Sequence, residues 1–199
     1  MIESHLMETQ LDEYLDRLQT AVRALPRDRM EALGEMLFRA YRNNKQVFVL
    51  GNGGSSSTAS HMAADLAKNT IGPNMKRFRI VSLNDNAAIM TALANDLGYE
   101  NVFSEQLTNL VQAGDVLVVV SASGNSPNVL NAMHYARSRS AEVVGLLGFD
   151  GGAAAELADI ALIVPSDHYG VVEDVHLIIN HILVDYFRTR FAEARPWVV

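Results

Sequence analysis

His61 and Asp65 stand four residues apart in STASHMAAD, and Glu173, Asp174, His176 and His181 crowd the segment VVEDVHLIINHIL. An i, i+4 spacing puts His61 and Asp65 on one face of a helix. Glu173 and His181 are eight residues apart, roughly two helical turns, so both can face one site. His176 falls off that line by more than a quarter turn and reads as a hydrogen-bonded core residue. Histidines in apolar helices are usually of that kind, but carboxylates accompany His61 and His181. Imidazoles and carboxylates from two helices can do either of two jobs. They can relay protons between adjacent carbons, or they can bind a divalent metal, since two histidines and two carboxylates suit zinc, among other ions.

Two polar turns accompany these groups. The first is Gly51-Asn52-Gly53-Gly54-Ser55-Ser56-Ser57, directly after the apolar run VFVL. Glycines let the backbone bend sharply and approach a ligand. Serine hydroxyls add donors, and a following helix offers free N–H groups. This is a phosphate site in physical terms. The dinucleotide fingerprint G-x-G-x-x-G fails at Ser56, and the G-K-[ST] of a nucleoside triphosphate loop has no lysine here. The second turn repeats the chemistry: Ser121, Ser123 and Ser126 surround Gly124 in SASGNS and can converge on one phosphate.

The elements that must position these groups alternate along the chain. Helices are expected over 5–22, 28–44, 57–69, 87–96, 102–112, 127–139, 151–158 and 171–192, from apolar recurrence at helical spacing. Short apolar runs predict strands over 46–50, 79–83, 116–120, 143–147 and 160–164. Near-continuous Val/Ile/Leu strands separated by helices mean a parallel sheet covered on both faces. Such sheets bind ligands beyond the C-terminal ends of their strands, where both polar turns fall. One domain over 1–199 is expected, with N-terminal helices over 1–44 and an α/β core over 45–199.

Bulk properties narrow the function classes. The 199 residues are 49% hydrophobic, ample for a buried core, and the net charge is -7. Lysine and arginine are scattered, which argues against nucleic acid as a partner. With no cysteine there is neither a disulfide nor a thiolate metal site. The start of the chain lacks the pattern of a signal peptide, and no apolar run approaches a membrane span. A soluble cytoplasmic protein is the expectation.

Taken together, GNGGSSSTASHMAADL, ALANDLGYENVF, GDVLVVVSASGNSPNVLNA and EDVHLIINHIL resemble the SIS (sugar isomerase) domain proteins, and among these the phosphoheptose isomerases. The resemblance implies a three-layer αβα sandwich with a five-stranded parallel sheet. It also implies a homotetramer whose active sites lie at subunit interfaces. The substrate implied is a phosphorylated sugar, sedoheptulose 7-phosphate, isomerised to glycero-manno-heptose 7-phosphate. Carried over by position, Ser55, Ser121, Ser123 and Ser126 would hold the phosphate, with Ala122 between them. Asn52, Gly53, Gly54, Asn95 and Asp96 would line the sugar. His61, Asp65, Glu173 and His181 would be the zinc ligands. Among them, Asp65 would be the base and His181 would move the proton between oxygens, with Glu173 also touching substrate.

The chain departs from the family pattern at four of these places. Asp65 stands where the isomerases carry glutamate, which draws the carboxylate back by about 1–1.5 Å. Glu173 stands where they carry glutamine. Asn69 replaces a common arginine, and Ala122 replaces the threonine of STS. Two other family roles are weighed against isomerisation. Initiator-associating relatives read HFAAS and lack the carboxylate that Asp65 keeps. Sugar-phosphate sensors are usually joined to a DNA-binding module, which these residues do not contain.

Overall fold

Strand β3 (Val116–Ser121, VLVVVS) is buried along its whole length, which requires neighbours on both edges and layers on both faces. The computed structural model, which describes residues 5–72 and 75–193, supplies both. The sheet order is β2-β1-β3-β4-β5, all parallel, with β1 Val47–Gly51, β2 Ile80–Ser82, β4 Glu142–Leu147 and β5 Ile160–Ile163. Residues 1–4 of the expected N-terminal helical segment and 194–199 of the expected domain lie outside the described residues.

Side chains alternate across the sheet. Val47, Val49, Val116 and Val118 face a core shared with α2 (Arg27–Arg42), α3 (Gly54–Lys68) and α8 (Tyr169–Glu193). Phe48, Leu50, Leu117 and Val119 face a second core, shared with α5 (Val102–Leu110), α6 (Pro127–Ser138) and α7 (Gly152–Leu157). Helix α1 (Leu6–Arg23) packs on α8, and α4 (Ala87–Leu97) has no buried residue. The three-layer parallel fold is the one expected.

The chain leaves β1 toward β2 on one side and enters β3 on the other. Order therefore reverses between β1 and β3, and a crevice opens beyond their C-terminal ends. Both hydroxyl-rich turns leave from these two strands. One boundary differs in a way that matters. Helix α3 starts at Gly54, three residues before the expected start, because Gly53 takes the sharp bend at φ +55°. Ser55, Ser56 and Ser57 are thus the first turn of a helix rather than a loop.

Candidate active site

The first turn is held by carboxamides. Asn84 pairs with Gly51 in both directions, its Oδ1 accepting from Gly51 N at 3.2 Å and its Nδ2 donating to Gly51 O at 2.8 Å. Asn52 and Asn128 exchange two hydrogen bonds of 2.9 Å, and Tyr99 donates to Asn52 Oδ1 at 2.9 Å. A cavity of about 280 Å3 opens here, lined by Asn52, Gly53, Ser56, Thr91 and Tyr99 among others. No capping side chain bonds the start of α3, Gly53 and Gly54 are exposed, and within this first turn Ser56 N donates to Gly53 O at 3.0 Å. Ser55 is buried.

In the second turn the hydroxyls accept backbone bonds: Ser121 Oγ from Gly124 N at 3.1 Å and Ser123 Oγ from Asn125 N at 3.4 Å. With their lone pairs so engaged, their O–H groups can donate to an anion. Ser126 precedes α6 without making a side-chain cap bond. Gly124 has φ +62°, and a Cβ there would stand 2.0 Å from Gly151 O, so only glycine closes this turn. Ala122 is buried, its methyl in the apolar core. Asn95 and Asp96 are exposed on α4, linked by an Asn95 Nδ2 to Asp96 Oδ1 bond of 2.8 Å.

The acid–base cluster forms between α3 and α8. Asp65 Oδ2 lies 3.2 Å from His61 Nε2 and 3.7 Å from His181 Nε2. The two imidazole rings meet edge to face with centroids 5.2 Å apart. Asp65 is buried, whereas both histidines are exposed. One ligand atom from each of the three lies within 4.8 Å of the other two. Two imidazole nitrogens and a carboxylate so arranged suit a divalent cation.

Two asparagines not expected in this role fix the carboxylate. Asn69 Nδ2 donates to Oδ1 at 2.7 Å, and Asn180 Nδ2 donates to Oδ2 at 2.9 Å. Asn69 is the departure from the family arginine; one turn beyond the shortened acid, it bonds that acid directly. Asn180 had a signal in sequence, a polar residue beside His181 in an apolar run. Both Asp65 oxygens are thus occupied, a state that suits an orienting anion or metal ligand better than a mobile base.

Glu173 lies elsewhere. It is half-buried in the first turn of α8, against the first residue of α3: a Cβ on Gly54 would stand 2.5 Å from its Oε1. Eight residues of helix separate it from His181, a rise of about 12 Å. Within one chain Glu173 therefore does not join the other three expected zinc ligands. Its turn is held by Tyr14, which donates to Asp174 Oδ2 at 2.6 Å. Burial first, then the bond and charge of Asp174 and the charge of Glu173, push the Tyr14 phenol up to about 12. His176 is fully buried, with Nε2 3.1 Å from Leu147 O, and burial pulls its pKa down to about 4. It is the core residue expected.

The SIS domain model matches residues 11–148. The chain belongs to the SIS domain family. Its relatives within that family include the phosphoheptose isomerase of Sulfurimonas denitrificans, 39% identical over 158 residues, 79% of this chain and 80% of that one. The phosphoheptose isomerase of Helicobacter hepaticus is 35% identical over 188 residues, covering 94% of both. Among solved structures, the Neisseria gonorrhoeae phosphoheptose isomerase superposes with a TM-score of 0.84 at 31% identity, covering 92% of this chain and 97% of that one. In this SIS domain, β1 and β3 carry the two hydroxyl turns, and α3 and α8 carry the imidazoles and carboxylates.

Proposed function

We propose that this SIS protein is an aldose–ketose isomerase acting on a phosphorylated heptose, converting sedoheptulose 7-phosphate to glycero-manno-heptose 7-phosphate. The observation that carries the reading is the union of His61 and Asp65 with His181, from distant parts of the chain, in a family whose curated relatives are phosphoheptose isomerases. The retained carboxylate at Asp65 disfavours the initiator-binding role.

The hydroxyl turns after β1 and β3 grip the phosphate, far from the carbons that react. From Ser55 to Asp65, α3 rises about 15 Å. A heptose phosphate spans about 10 Å from C1 to phosphorus, at about 1.5 Å per bond. With a hydrogen bond of about 3 Å at each end, one substrate would only just bridge one chain's hydroxyl turns and its own Asp65. A homotetramer, in which the turns of one copy face the His61 group of another, would relieve that stretch. Helix α1 leaves Leu6, Met7, Leu11 and Leu15 exposed, an apolar face suited to such packing.

His61, Asp65 and His181 are the residues that would hold zinc. When bound, the ion would polarise the sugar carbonyl and stabilise the enediolate. Asp65, fixed by its two asparagines, orients both imidazoles. No helix of the described residues is long and apolar enough to cross a membrane, and we place the enzyme in the cytoplasm, where sugar phosphates are made. The test is incubation with sedoheptulose 7-phosphate, with and without zinc after chelation, reading aldose formation by NMR. Aldose produced in a zinc-dependent way is expected. No aldose under either condition would overturn the reading.

A further inference from the structure

We propose that Tyr99 recognises the hydroxyl beside the substrate's phosphate, a specificity-determining role that rests on the isomerase reading above. The network around Tyr99 assigns each hydrogen in turn. Val129 N can only donate, and it donates to Asn128 Oδ1 at 3.0 Å. Asn52 Nδ2 donates to that same oxygen, and Asn128 Nδ2 donates back to Asn52 Oδ1, both at 2.9 Å. Asn52 Oδ1 is thus an acceptor, and Tyr99 gives it the one hydrogen of the phenol at 2.9 Å. Toward a ligand the Tyr99 oxygen can then only accept, and Asn52 Nδ2 keeps a second hydrogen to donate.

Both groups line the cavity of about 280 Å3 beside the first hydroxyl turn. Two other hydroxyls of its wall also spend their hydrogens on the protein. Ser56 Oγ donates to Gly53 O at 2.7 Å, and Thr91 Oγ1 donates to Ala87 O at 2.8 Å. A wall of hydroxyl oxygens whose hydrogens are turned inward offers lone pairs. It suits the O–H groups of a polyol and repels a second anion. The phenol is held in place from two sides. Gly98, at φ +88°, turns the chain out of α4, and Asn101 Nδ2 ties the next turn back to Leu97 O at 2.8 Å. Asn131 of α6 donates to Glu100 O at 2.9 Å.

Gly53 and Ser56 belong to the turn that grips the phosphate, and they line the same cavity as Tyr99. The part of the sugar that reaches Tyr99 is therefore the carbon next to the phosphate ester, C6 of the heptose. Its hydroxyl donates to the Tyr99 oxygen, and the neighbouring O5 accepts the second hydrogen of Asn52. Neither contact changes as the proton moves between C1 and C2, so their loss weakens binding and leaves the chemical step alone.

The experiment measures binding of sedoheptulose 7-phosphate and of its 6-deoxy analogue to wild type and to Tyr99→Phe by calorimetry. Turnover and inhibition by inorganic phosphate are read alongside. Tyr99→Phe is expected to bind sedoheptulose 7-phosphate about fivefold to tenfold more weakly. Its kcat stays within about twofold of wild type, and inhibition by phosphate is unchanged. Wild type is expected to lose a similar factor on the 6-deoxy sugar, whereas Tyr99→Phe binds the two sugars within about twofold of each other. Unchanged affinity in Tyr99→Phe, or an equal loss on both sugars, would overturn the assignment. So would phosphate inhibition weakening in step with sugar binding, because Tyr99 would then only support the turn. Wild type that binds sedoheptulose 7-phosphate without turnover would overturn the isomerase reading alone, the binding comparison still deciding for or against Tyr99. Wild type that does not bind it would overturn both.

Discussion

The two halves of the site are built from different materials. The hydroxyl turns are local: each lies within seven residues of one strand end, and backbone geometry shapes both. The His61–Asp65–His181 cluster is not. Its carboxylate is held by Asn180, 115 residues away in sequence, and its geometry depends on how α3 and α8 pack. A local device keeps its backbone shape as long as its glycines remain. A device assembled across two helices fails when one member is lost, because a buried charge then has no partner.

The largest expected effect tests the assembled half. Asp65→Asn should lower turnover by about a thousandfold and release zinc, while sugar-phosphate affinity, set by the turns, changes little. Turnover near wild type would put the catalytic centre elsewhere.

Next in size is a stability slope from the core side of α8. His176 has its folded pKa lowered to about 4 from 6.5. Between those values the unfolded chain binds the proton and the folded chain does not. The contribution is therefore fully present above about pH 6.5, falls as pH drops, and is gone below about 4. The loss comes to about 3 kcal/mol. Denaturant unfolding from pH 7 to 4 measures it, and His176→Leu should flatten the slope.

Ser121→Ala with Ser123→Ala probes the local half. KM should rise about 10- to 100-fold with kcat changing far less, since the lost bonds anchor a group remote from the reacting carbons. An unchanged KM would refute the phosphate grip.

Asn69→Ala gives the smallest effect, about a fivefold to tenfold loss of zinc affinity or activity. The Asn180 bond remains, so Asp65 keeps one support. A loss as large as that of Asp65→Asn would mean that the two asparagines act as one unit rather than in parallel.

Much of this was readable beforehand. Apolar strands between helices specified the parallel sheet, and GNGGSSS and SASGNS marked the strand ends that open onto ligand. The i, i+4 pair of His61 and Asp65 was visible because helical spacing is a property of neighbours. The start of α3 was misplaced because the run of serines looks like loop, whereas a positive φ at Gly53 begins the helix directly after it. Glu173 was grouped with His181 because eight residues return to the same helix face. Spacing gives direction but not height, and a rise of about 12 Å separates the two groups.

The sequence by itself determined the element order, the hydroxyl turns and the residue types able to move protons or hold a cation, since these depend on short-range spacing and side-chain chemistry. Only the tertiary structure decided which carboxylate joins the two imidazoles and which stands apart. Hydrogen bonds from Asn69 and Asn180 hold Asp65, and the contact with Gly54 places Glu173 at the crevice. Whether an acid's oxygens are occupied depends on what packs against it, and packing between α3 and α8 joins residues that the chain keeps more than a hundred positions apart.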